Sequence, residues 1–207
     1  MTHSSDALGA AEMLAVTQRE EAQARRHFRP DDRFLYAVWG TAWIVGFIGL
    51  WLTGGNNPAV DAPAFAGWLY GVLMTVALVV TVVHIAGRVS GVRGRSQVLG
   101  QRFGATWGVA FTSYGLILAG LGQASVATEV YRLLAPVLAC FIVGLVYMAG
   151  GAAWDDRRQF VLGVWICLVA GVAGLVGVPT HHLILAIGGG GGFLIAAVTR
   201  PRRSVSR

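Results

Sequence analysis

The 207-residue chain contains no lysine, and none of its charged residues stands at the centre of any of its six long apolar stretches. The second absence removes the usual signature of proton- and sodium-coupled carriers, which place Asp, Glu, Lys or Arg at mid-span, where a charge is costly and so marks function. Cysteine is scarce: Cys140 and Cys167 are the only two. Both lie inside apolar stretches, so they offer neither a conventional extracytoplasmic disulfide nor a metal-ligand spacing, and they read as small, soft residues at helix interfaces. No Ser–His, paired-Asp or His/Glu metal arrangement occurs at matching depth, which ranks an intramembrane enzyme last among the function classes and leaves no cofactor or metal to expect. Histidines paired across two helices, as a haem protein needs, are missing as well. His84 sits near one end of a stretch, where helix C-terminal carbonyls and headgroups are expected to accept its protons. His181 and His182 are adjacent near the other end, and on a helix start they project about 100° apart, a poor geometry for one metal even with Glu129 or Asp61 at hand.

The apolar stretches run over residues 34–52, 64–85, 106–121, 133–152, 160–178 and 182–198. They approach the length of about 20 residues that a helix needs to cross a hydrocarbon core about 30 Å thick. Lipid cannot satisfy a bare backbone, and the alternation of a membrane β-barrel is absent, so each stretch is expected to be helical. The fold class is therefore all-α, a polytopic bundle of six transmembrane helices. The segments are an N-terminal tail (1–33), a transmembrane domain (34–198) and a C-terminal tail (199–207), with no room for a second folded domain. No cleavable signal peptide is visible, because the first 33 residues are largely polar and the first apolar run is long enough to span.

Arginine supplies the orientation, since cytoplasmic loops retain positive charge. Fifteen of the 16 basic residues fall in the two tails and in alternate loops, and only Arg132 lies on the other side. Both termini are expected to be cytoplasmic. The net charge of +6 is spread over separate juxtamembrane sites, which points to topogenesis and anionic lipid headgroups and away from nucleic acid. Arginine as the only basic residue, with abundant Ala, Gly and Val, fits a GC-rich bacterial genome and a plasma-membrane location. Residues 6–27 lack proline and read as a helix lying on the membrane surface or docking a soluble partner. The turn Trp154-Asp155-Asp156-Arg157-Arg158 reads as a self-neutralising cap.

A weak rhythm runs through the chain. Each odd-numbered stretch enters from an arginine followed five to seven residues later by tryptophan: Arg33 and Trp39, Arg102 and Trp107, Arg158 and Trp165. Two even stretches end alike, in His84-Ile-Ala-Gly87 and Tyr147-Met-Ala-Gly150. Three hairpins in one orientation produce this pattern, and so does interfacial anchoring by Trp and Arg alone.

Packing signals outweigh chemical ones. Glycine supplies 29 residues, and Gly188, Gly192 and Ala196 share one face at four-residue spacing, which lets two helices approach closely. Ala170, Gly174 and Val178, beside Gly163, Gly171 and Gly177, make the fifth stretch their expected partner. The same glycine run also suits a broken helix lining a substrate path. Thr112, Ser113 and Tyr114 are candidates to line a polar cavity, against the commoner outcome of hydroxyls bonded within their own helix.

The segments around 35–47, 148–154, 159–165 and 188–193, with Gly91-Val-Arg-Gly94, resemble a family of small six-span membrane proteins of high-GC Gram-positive bacteria. Its members are usually labelled uncharacterised, sometimes "transporter", and the resemblance covers roughly residues 30–200. It implies the fold and a bacterial plasma-membrane location, and no residue roles. Two functions follow as expectations. The first is a small transporter or transporter membrane subunit, with a path among the third, fifth and sixth spans and a separate ATPase or regulatory protein at the cytoplasmic face. The alternative is a scaffold or sensor that binds another membrane or cytosolic protein. Membrane lipids are partners in either case, and a homo-oligomer is compatible with both.

Overall fold

The structure is a computed structural model that describes residues 31–54, 64–89 and 95–199. The helix expected at residues 6–27, the C-terminal residues 200–207, Asp61 and the 91–94 motif lie outside the described residues.

Every long element is a helix, and no strand occurs among the described residues: α1 (Asp32–Gly54), α2 (Ala64–Val89), α3 (Arg95–Gln123), α4 (Thr128–Ala153), α5 (Arg157–Val176) and α6 (His181–Thr199). All six are long and apolar enough to cross a membrane, as the six apolar runs predict. The largest departure is α3, which begins eleven residues before the apolar run at 106. Gln97, Gln101 and Arg102 are good helix formers, so the helix continues where the apolar pattern has stopped. The last helix is continuous but not uniform: His181–Ile184 and Gly191–Thr199 are α-helical, and Leu185–Gly190 between them is π-helical.

The odd helices begin where the even helices end. Asp31 Oδ1 accepts from Arg33 N at 3.1 Å to cap α1, while the Asp31 backbone N–H donates to Nε2 of His84 near the end of α2. Asp156 Oδ1 accepts from Arg158 N and Gln159 N to cap α5. The guanidinium groups of the same two positions reach the end of α6: Arg33 Nε donates to Ala197 O at 3.0 Å, and Arg158 Nη1 to Thr199 O at 3.1 Å. Cations there complement the partial negative charge of a helix C-terminus. Nε2 of His84 accepts a hydrogen bond from the start of α1, a partner that the expectation of carbonyls and headgroups did not include, and in the 154–158 turn Asp156 caps α5 as expected while Arg158 also reaches the end of α6.

Packing follows the order α2, α1, α6, α5, α4, α3. The centre is made by α1, α4, α5 and α6, with Phe47, Phe193, Ile166, Leu185 and Cys140 fully buried. The tightest pairing is α4 with α5, where backbones cross at glycine: a Cβ on Gly163 would stand 2.6 Å from Gly144 O and from Met148 N. Thus Gly163 faces α4 and not α6, as does Gly174, whose nearest neighbour is Val137. Gly177 takes φ +76° in the turn to α6, which a side chain would strain, and Gly171 faces open space. The expected partnership of α5 with α6 exists and uses Gly188 and Gly192 on α6 as expected, but they meet Val169 and Trp165 of α5, not a glycine stripe there.

Candidate functional site

The glycine run of α6 is clamped from two sides. Toward α1, a Cβ on Gly189 would meet the Trp43 ring at 2.7 Å, and one on Gly190 would meet Ile44 at 2.7 Å and Gly40 O at 2.9 Å. Toward α5, Gly188 faces Val169 at 3.0 Å and Gly192 faces the Trp165 indole at 2.6 Å. Gly191 alone faces open space, and Ala196 is partly buried against the core. Large side chains of α1 and α5 fill the notches that the glycines leave. The π-helical segment also loosens the regular ladder, and Trp165 Nε1 donates to Gly188 O at 2.8 Å.

The hydroxyl triplet lies elsewhere. Thr112 and Ser113 are exposed on α3, while Tyr114 is half-buried and donates to Ala135 O of α4 at 2.8 Å. Because α3 packs on α4 and α6 packs on α1 and α5, the triplet and the glycine run do not converge. A path walled by the third, fifth and sixth spans therefore has no common wall, because α4 lies between α3 and α5 in the packing order.

At the other end, the two histidines come together. Their ring centroids are 3.8 Å apart at 37°, and His182 stacks on Phe47. His181 is fully buried, its Nε2 lies 3.2 Å from Arg132 O, and its Nδ1 has no hydrogen-bond partner. A carbonyl accepts only, so Nε2 carries the proton and donates. That carbonyl is available because Pro136, four residues on, has no N–H to complete the helical bond. Pro136 thus opens an acceptor on α4 that His181 takes up from α6. A proline inside an apolar run signals such an orphan carbonyl four residues upstream, yet nothing in the sequence says which side chain will fill it. Close stacking of rings is not chelation, and no group of three or more His, Cys, Asp or Glu able to hold a metal ion occurs among the described residues.

The Arg–Trp rhythm acquires geometry. Trp39 Nε1 donates to Thr81 Oγ1 of α2 at 2.9 Å, Trp107 stands edge-on to Tyr147 of α4 at 6.1 Å, and Trp165 donates to α6. In every case the tryptophan of an odd helix reaches the even helix that follows it. A glycine near each tryptophan faces elsewhere. Gly40 is covered by Leu194 and Gly190 O of α6, Gly163 by α4, and Gly108 has nothing within 4 Å.

Models of known protein families, curated proteins and solved structures contain no match to this chain.

The remaining feature is an uncovered side. In the 18-residue windows that define the spans, 28–39% of residues are buried for α1, α4, α5 and α6, against 6% for α2 and none for α3. Along α3, Gly104, Gly108, Thr112, Gly115, Ala119 and Gly122 fall on one face at spacings of three and four, and all six are exposed. Its glycines have open space where the glycines of α4 and α6 have neighbours.

Proposed function

We propose that this protein is a membrane subunit of a larger assembly in the bacterial plasma membrane, with both termini cytoplasmic, working through lateral association with another transmembrane protein. The observation that carries the reading is the uncovered small-residue face of α3. In lipid, helices associate through close van der Waals contact that small residues permit, so such a face is fitted to a helix more than to mobile acyl chains. This reading covers the scaffold alternative and the transporter-subunit form of the transport expectation. Arginine counts support the orientation, and the resemblance to six-span bacterial proteins supports the location.

An autonomous carrier is the second reading, favoured by the π-helical glycine segment of α6, since interrupted helices at mid-membrane mark many transporter sites. The clamping of that segment by Trp43, Ile44, Val169 and Trp165 weighs against it. Gentle purification of the tagged protein from native membranes, followed by mass spectrometry, tests the proposal. A stoichiometric transmembrane protein or a second copy is expected, and a co-purifying ATPase would specify an exporter. Recovery of a lone monomer would overturn the assembly reading and return the carrier to first place.

A further inference from the structure

Among the described residues, one buried side-chain nitrogen or oxygen lacks a hydrogen-bond partner, Nδ1 of His181. It belongs to a pair that fastens the first turn of α6 to two other helices. His181 donates through Nε2 to Arg132 O of α4, and His182 stacks on Phe47 of α1 with ring centroids 6.1 Å apart. These two histidines are the buried polar residues of an otherwise apolar core.

Only a neutral pair fits this site. Nε2 of His181 carries the hydrogen, which leaves Nδ1 as the basic atom, and a proton there would be a fully buried donor without an acceptor. Gly177 O, one turn back, is already taken by the backbone N of His181 at 2.9 Å. A proton on His182 would set its charge against a ring whose centroid is 3.8 Å away. The groups that face the pair bring no negative charge to balance either ring. From α4 the facing charge is Arg132, a cation, while Glu129 in the first turn of that helix is exposed; α1 brings Phe47, and the turn after α5 brings Gly177. An imidazolium is therefore accommodated only by turning out toward water, which breaks the hold on Arg132 O or on Phe47. The consequence reaches the glycine run, because the backbone N–H of Leu185, the first residue of the π-helical segment, is shared between the carbonyls of His181 and His182.

We infer that His181 and His182 form a proton-operated latch at the outer end of α6: neutral, they hold α6 on α4 and α1, and protonated, they release its first turn and loosen the π-helical segment beyond it. With both termini cytoplasmic, as proposed above, this end meets the acidity of the surroundings rather than that of the cell. Because the packed form is the neutral one, the hold is complete at neutral pH and lost as pH falls. The latch is separate from lateral association, since it concerns contacts inside one bundle.

The test is amide hydrogen exchange on the full chain in lipid nanodiscs, where both faces meet the buffer, with rates corrected for the pH dependence of the chemical step. Between about pH 7.5 and about pH 5, protection over residues 181–190 is expected to fall at least about tenfold, while that of α2 stays unchanged. In a double variant, His181→Gln with His182→Phe, the amide keeps a donor for Arg132 O and the phenyl ring keeps the stack on Phe47, but neither takes a proton, so protection should stay level across this range. Level protection in the parent chain, or an equal fall in the double variant, would overturn the latch. Should the variant fail to fold, magnetic resonance of isotope-labelled histidine rings in the parent chain decides: a buried ring is expected to gain its proton over the same range in which protection is lost, and rings that stay neutral through that loss would refute the inference.

Discussion

Glycines recur at helical spacing in both α6 and α3, yet the two helices put them to different use. Four of the five in α6 are notches already filled by Trp43, Ile44, Val169 and Trp165, whereas those of α3 meet nothing within 4 Å. Small residues confer the capacity for close approach, and whether another helix takes it up is decided elsewhere in the chain. A glycine-rich helix is thus no evidence of flexibility by itself: the segment with five consecutive glycines is among the most closely surrounded in the protein.

Substitutions can break this contrast, beginning with the close crossing of α4 and α5. Gly163→Leu would drive a side chain into the α4 backbone at Gly144 and Met148, and overpacking of this kind should remove about 3 kcal/mol or abolish folding. Membrane-extracted protein level and thermal unfolding would record it, and a variant as stable as the parent would show that α4 and α5 do not cross there. Next in size is His181→Ala, which vacates a fully buried site and leaves Arg132 O without its donor, at about 2 kcal/mol. Pro136→Ala restores an N–H for that carbonyl, so a double-mutant cycle should give a coupling of about 1 kcal/mol; additive effects would mean that the proline and the histidine act independently. Trp165→Phe keeps the ring and removes the donor to Gly188 O, with an expected loss of about 1 kcal/mol. Amide hydrogen exchange confined to Leu185–Gly190 should quicken, and unchanged exchange there would refute the clamp. The smallest effect belongs to α3: Gly115→Ala meets open space and should leave unfolding unchanged or raise stability by up to about 1 kcal/mol through helix propensity. A clear destabilisation would show that this face is already covered.

The helices themselves were legible because lipid leaves few options: an apolar run of sufficient length must be helical, and five of the six runs matched closely. The remaining one, α3, is longer than its apolar run because helix propensity and hydropathy are different properties, and Gln97, Gln101 and Arg102 favour a helix without being apolar. The sites were less legible. The notch formed by Gly188 and Gly192 against α5 could be anticipated from their four-residue spacing, but Gly163 and Gly174 turned toward α4, since glycine spacing marks a face without naming its neighbour. The position of Thr112, Ser113 and Tyr114 along α3 says nothing of which helices stand around them. Pro136 carried a signal that the apolar pattern conceals, an acceptor at Arg132, and the answering donor lies 49 residues away in sequence.

The sequence alone determined that six helices form, from run length and the need of every backbone group for a partner in lipid, and it set out the Arg–Trp rhythm of the hairpins. Only the tertiary structure decided which glycines are filled, which carbonyl His181 holds, and that α2 and α3 stand at the open ends of the packing order. Those outcomes depend on contacts between segments far apart in the chain, and a helix's own residues specify its faces without specifying what will lie against them.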